Sequence, residues 1–143
     1  MGLVRRAWER LLKFIDWTPI LWRDEDWDWS YILLVFAHKL KRQRECILRN
    51  EIIAGAQDVY DQIKVCEDAL RRMAADEYND EKMVAFRERT RKPLIVRVKA
   101  GMMLTEEEGA EFKELIAEED MLRKADEQLF AKTFLEGYRG WWD

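Results

Sequence analysis

The sequence predicts an all-α helical bundle with two or three long helices, a short N-terminal amphipathic helix and an irregular, extended segment over 87–104. Three observations carry that reading. Only 6 Gly and 2 Pro occur in 143 residues, too few turn formers for a β-rich fold. Apolar residues recur at steps of three and four over long stretches, which places them on one side of a helix. Thr105 with Glu108 forms a capping box, in which each side chain satisfies the other residue's backbone donor at a helix start. With 48% apolar and 38% charged residues, the chain has the balance of a packed helical fold, and its length suits one domain over 1–143.

The first helix is expected over 1–16. Leu3, Val4, Ala7, Trp8, Leu11, Leu12 and Ile15 share one face, and Arg5, Arg6, Glu9, Arg10 and Lys13 fill the other. Trp17-Thr18-Pro19 should end it, because Pro disfavours helix in the residue before it. Such a helix suits docking on the core or on another subunit, with a membrane surface as the second reading. Residues 20–28 form an aromatic and acidic connector in which Asp26 or Asp28 can cap the next helix.

Trp29, Leu33, Phe36, Leu40 and Ile47 trace the stripe of a long second helix reaching about Arg49. In the third, Ile52, Ala56, Val59, Ile63, Cys66, Leu70 and Met73 alternate steps of four and three, a coiled-coil-like seam. These two helices either form an antiparallel hairpin near Asn50 or run on with a kink. Beyond Ala75 the pattern weakens. Met83 and Phe86 suggest a short helix, and Leu94-Ile95-Val96-Arg97-Val98 after Pro93 reads as extended, so 81–104 is expected to be an inserted or mobile arm. Phe112, Leu115, Ile116, Leu122, Leu129, Phe130 and Phe134 mark the last long helix. Gly137 and Gly140 should end it and release Trp141-Trp142-Asp143.

No catalytic constellation is visible. His38 is the only histidine, and its helical neighbours Leu34 and Arg42 are no partners for nucleophilic catalysis. Asp24, Asp26 and Asp28 lack the glycine and distal glutamate of a calcium loop. Glu118-Glu119-Asp120 reads as a solvated face, and Cys46 and Cys66 as core filler without a CxxC motif. Neither enzyme activity, nor a metal, nor a cofactor is expected. The longest apolar run, Tyr31–Ala37, is too short to span a bilayer, no signal-peptide pattern is seen, and Arg6 stands where a myristoylation motif needs Ser or Thr. A cytosolic setting follows as the default. The net charge of −4 is too mild and of the wrong sign to steer the chain toward duplex nucleic acid.

What stands out is 7 Trp. Trp27, Trp29 and Tyr31, with Lys39 and Arg42 further along the same helix and Trp141 and Trp142 at the far end of the chain, supply aromatic plates and cationic donors. Those are the groups that bind a nucleotide's base and phosphate. The competing reading is a structural clasp, in which the Trp141-Trp142 pair packs over the Asp-Trp-Asp-Trp turn. Arg87, Arg89, Arg91 and Lys92, continued by Arg97 and Lys99, form a basic run that suits a partner protein better than nucleic acid.

The run Asp26-Trp27-Asp28-Trp29-Ser30-Tyr31, followed by Lys39-Leu40-Lys41-Arg42, resembles a family of small uncharacterised proteins of tailed bacteriophages. The resemblance continues in Asp76-Glu77-Tyr78, Asp126, Leu129-Phe130 and Trp141-Trp142-Asp143, covering 22–78 and 120–143. The basic first helix and a longer middle, Glu81 to Glu119, depart from the family pattern. The resemblance implies a phage origin and a host-cytoplasm setting, but no established activity. Two functions are therefore expected to compete. One is a non-enzymatic counter-defence protein that sequesters a nucleotide immune signal, as a homo-oligomeric sponge. The other is an inhibitor or adaptor of a host protein that uses the first helix or the 81–104 arm.

Overall fold

The computed structural model describes residues 2–22, 29–50, 55–91 and 104–141, and of 2–4 and 50 only the backbone. Five helices occur among them: α1 (Gly2–Leu21), α2 (Trp29–Asn50), α3 (Ala56–Ala75), α4 (Asp80–Thr90) and α5 (Glu106–Gly137). The regular structure of the described residues is helical throughout, as the scarcity of turn formers requires.

α2 and α3 form the antiparallel hairpin and close the main core. Ala37, Leu40 and Ile47 of α2 interleave with Ile63, Cys66, Leu70 and Met73 of α3. The four-three seam thus buries one side of α3 along its length, and burial pushes the Cys66 thiol up to about 11, leaving it a protonated core filler. α5 runs antiparallel to α3, since Gln62 meets Trp141 while Arg72, further along α3, meets Asp126. Phe130, Phe134 and Tyr138 stack along α5 at centroid distances of 5.4 and 5.2 Å, and Phe36 of α2 meets the first two edge-on. Each ring lies four residues from the next, one helical turn, so the row faces the hairpin as a continuous wall.

The short helix expected around Met83 and Phe86 is α4, and this half of 81–104, expected as an inserted or mobile arm, packs against the last helix. Met83 and Phe86 are buried against Leu115 and Leu104 in a second, smaller core on the first half of α5. Asn79, just before α4, donates to the Leu115 carbonyl at 3.1 Å. The capping box opens α5: Glu108 N–H donates to Thr105 Oγ1 at 3.1 Å, and Thr105 N–H to Glu108 Oε2 at 2.8 Å. The expected caps Asp26 and Asp28, the seam residue Ile52 and the extended segment Leu94–Val98 lie outside the described residues.

Two helix ends differ from expectation. α1 does not stop at Trp17 but continues through Pro19 to Leu21. Proline removes the N–H that would bond the Ile15 carbonyl and crowds the turn before it. Thr18 Oγ1 donates to the Phe14 carbonyl at 2.7 Å and Trp22 N–H to the Thr18 carbonyl at 2.9 Å, holding the turn around the ring. At the other end, Gly137 does not release the chain. Residues 138–141 turn back and seat Trp141 in the core, its Nε1–H donating to Gln62 Oε1 at 3.1 Å. A methyl on Gly137 would stand 2.6 Å from Trp141 Nε1 and 2.9 Å from its Cε2. Gly137 therefore supplies room for the indole rather than an unusual backbone angle.

Trp141→Ala should cost roughly 3–5 kcal/mol of unfolding free energy, the usual range for truncating a buried large aromatic. Gly137→Ala should cost about 1–3 kcal/mol by overpacking. Denaturant titration checks both, and an unchanged midpoint for either would place Trp141 outside the core.

Candidate functional site

A buried, charged node lies at Asp126, in the second half of α5. Arg72 of α3 forks onto it, Nε donating to Oδ2 at 2.9 Å and Nη2 to Oδ1 at 2.6 Å. Tyr78 Oη donates to Oδ2 at 2.9 Å. The hydrogen bonds from Arg72, then that from Tyr78, hold the Asp126 carboxyl below the usual aspartate range. Burial first, and the adjoining carboxylate second, push the Tyr78 phenol well above its ordinary value.

The turn after α3 is fixed by the same elements. Asp76 takes a left-handed conformation, φ 54°, and its N–H donates to the Arg72 carbonyl at 3.0 Å, capping α3. Arg123 of α5 binds the Asp76 carboxylate through Nε at 3.1 Å and Nη2 at 2.6 Å, and Glu119 at 2.7 Å. A second node lies between α2 and α3, where buried Glu67 accepts from Arg44 at 2.6 Å and from Arg71 at 2.9 Å. Arg44 also bonds Tyr60 and lies over its ring at 4.8 Å. In both nodes every charge faces an opposite charge. Such groups fasten helices; they offer no poised base or nucleophile.

His38 sits where α1 meets α2. The Trp17 ring meets it edge-on at 4.7 Å, and its Nε2 lies 3.2 Å from the Asp16 carboxylate, an approach without hydrogen-bond alignment. Asp16 is also bonded by Arg42. No cluster of His, Cys, Asp and Glu fit to hold a metal occurs among the described residues.

The residues singled out for a nucleotide do not converge among the described residues. Trp141 is in the core, Arg42 is engaged by Asp16, Tyr31 is half-buried, and Trp29 and Lys39 are exposed. Ten residues separate Trp29 from Lys39 on one helix, about 15 Å. Trp27 and Trp142 lie outside the described residues. Trp141 does act as a clasp, but its partners are Gln62 and Phe134.

The basic run has a definite placement. Met83, Phe86 and Thr90 turn inward, so Val84, Arg87 and Arg91 stand on the outer side of α4 and are exposed. With Glu88 and Thr90 they line an open groove of about 400 Å³. Arg89 is bonded to Glu111 and lies 5.9 Å over the Phe86 ring, so it helps anchor the helix; Lys92 is outside the described residues.

Sequence reasoning missed Arg72, Gln62 and the spatial role of Gly137. One signal was present: Asp126 interrupts the apolar stripe of the last helix between Leu122 and Phe130, and a charge on a buried stripe calls for a partner. Comparison with protein-family models, curated proteins and solved structures finds no match.

Asp126→Ala should cost about 3 kcal/mol, the lower end for removing one member of a buried pair, because Arg72 is half exposed. Because the folded-state value of Asp126 is depressed, its stabilisation is present above the ordinary aspartate value near 3.9 and fades as pH falls below it. Thermal melts of wild type and Asp126→Asn should therefore converge as pH drops from about 6 to 3. A gap that stays constant would contradict the charge-based account.

Proposed function

We propose that this chain is a non-enzymatic accessory protein of a bacteriophage that acts in the host cytoplasm as an inhibitor or adaptor of a host protein. The observation that carries the reading is the outer face of α4. Exposed Val84 lines an open groove together with Arg87 and Arg91, on a helix pinned from behind by Met83, Phe86 and the Arg89–Glu111 pair. Arginines beside an apolar contact are usual anchors of a protein interface, and a helix already held from behind has little backbone freedom left to lose on binding. Arg87 and Arg91 favour an acidic partner segment.

The phage setting is supported by the resemblance of the Asp26–Tyr31 run and the Trp-rich ending to the tailed-phage family. The absence of enzymatic chemistry in the proposal is supported by the mutual saturation of the Asp126 and Glu67 nodes. Binding of a nucleotide signal has less support, since Trp141 and Arg42 are committed to other contacts.

The test is affinity capture from host lysate with the whole chain, with Arg87→Glu/Arg91→Glu as the variant and Lys132→Glu, an exposed change on α5, as the control. The double variant should lose the captured partner at least tenfold while the control retains it and both keep the wild-type helical spectrum. Equal capture by all three would remove α4 from the interface. A stoichiometric nucleotide released on heating the purified protein would overturn the reading in favour of sequestration.

A further inference from the structure

α1 is docked by its polar side. Its contacts with α2 run through Asp16, which meets His38 and Arg42, and Trp17, which meets His38. At about 100° per residue, Trp8, Leu11, Leu12, Phe14, Ile15 and Leu21 fall within a half-circle of the helix, with Trp22 in line just beyond its end. The direction midway between Asp16 and Trp17 points about 180° from the centre of that half-circle. The apolar stripe therefore faces away from the body. Its side chains are exposed accordingly: Trp8 59%, Phe14 67%, Ile15 56% and Trp22 86%.

The charges around the stripe select what covers it. Arg5 and Arg10 lie on its two borders, with Arg6 and Lys13 behind them. The acidic side chains of α1, Glu9 and Asp16, lie on the far side, where Glu9 pairs with Arg5 at 3.0 Å and Asp16 with Arg42. A second copy laid symmetrically stripe to stripe would bring cationic borders against cationic borders. A flat anionic surface instead accepts the stripe and draws the border guanidiniums to its phosphates. Because the body holds α1 from the opposite side, a plane can approach the stripe. Twenty residues with six charges lie on a bilayer rather than cross it, and no helix among the described residues is long and apolar enough to span one.

We propose that α1 is a membrane-surface anchor: its Trp8–Leu11–Leu12–Phe14–Ile15 stripe enters the interface of an anionic lipid bilayer while Arg5 and Arg10 engage the headgroup phosphates. This anchor is independent of the α4 contact, and either can fail alone. It would concentrate the protein at the inner face of the host envelope.

The experiment is co-flotation of the whole chain with phosphatidylcholine vesicles, with and without about 30% phosphatidylglycerol, at roughly 50 and 300 mM salt. Light scattering of the free protein is recorded in parallel. Wild type should float with anionic vesicles, at least tenfold less with neutral ones, and less at high salt. Phe14→Glu changes an exposed residue and so leaves the fold intact; it should abolish flotation, and Arg10→Glu should weaken it severalfold. No flotation of wild type overturns the proposal. So does flotation unaffected by Phe14→Glu, or an oligomer that Phe14→Glu converts to monomer without any lipid binding, which would assign the stripe to a second copy.

Discussion

The forked contact between Arg72 and Asp126 fixes the placement of the last helix, and most of the architecture depends on that placement. α5 is long, carries charge on most sides, and its apolar stripe is interrupted. Apolar packing alone would let such a helix slide by a turn against α3, because leucines and phenylalanines are tolerant neighbours. A bidentate guanidinium–carboxylate pair is not tolerant: its two parallel bonds form at one axial position and one rotation. The Trp141–Gln62 bond provides a second fixed point, ten residues from Arg72 on α3 and so about 15 Å along the axis. With two points fixed, the Phe130–Phe134–Tyr138 row can only lie against Phe36 and the hairpin core.

The consequences run toward the other end of α5 as well. Tyr78 and Asp76, in the turn that leaves α3, both reach α5, through Asp126 and Arg123. This ties the start of α4 to the register already set, and Asn79 continues the tie through the Leu115 carbonyl. A left-handed aspartate is an uncommon residue at a helix end, where glycine is the low-strain choice. Here its carboxylate holds Arg123, a contact glycine could not make, and that offsets the backbone cost. The small Met83–Phe86–Leu115 core then needs only three buried side chains, because its geometry is imposed from outside.

Much of this was legible in the sequence, element by element. The seam from Ala56 to Met73, the stripe of α2, the capping box at Thr105 and the reach of the last helix follow from local spacing, which is a property of neighbouring residues. What could not be read was set by contacts that the apolar spacing does not encode. Pro19 signals a helix stop only if nothing holds the turn around it, and the Thr18 hydroxyl does so. Gly137 looks like a terminator, yet what matters is the indole that occupies the missing methyl's place. The tryptophans were correctly marked as unusual, but whether an indole is a plate for a ligand or a plug for a core depends on which helix lies opposite. Sequence spacing carries no information on that.

The same logic separates the parts of the surface that can carry function from those that cannot. A charge already forked onto a partner gains little from a new one, since the second contact must first break the first and expose a half-buried ion. Asp126, Glu67, Arg72 and Arg44 are spent in this sense. Apolar side chains left in water are the opposite case: each exposed square ångström carries about 25 cal/mol that covering would recover. The structure keeps its satisfied charges in the middle, and two separate helices, α1 and α4, carry uncovered apolar groups beside cationic ones. α1 is held by its polar side, and α4 is held by Met83, Phe86 and Thr90. A chain that merely needed to fold would have turned the α1 stripe inward, where α2 leaves Leu34 exposed one turn before His38. That it does not is a physical sign that the stripe's partner lies outside the described residues of the chain.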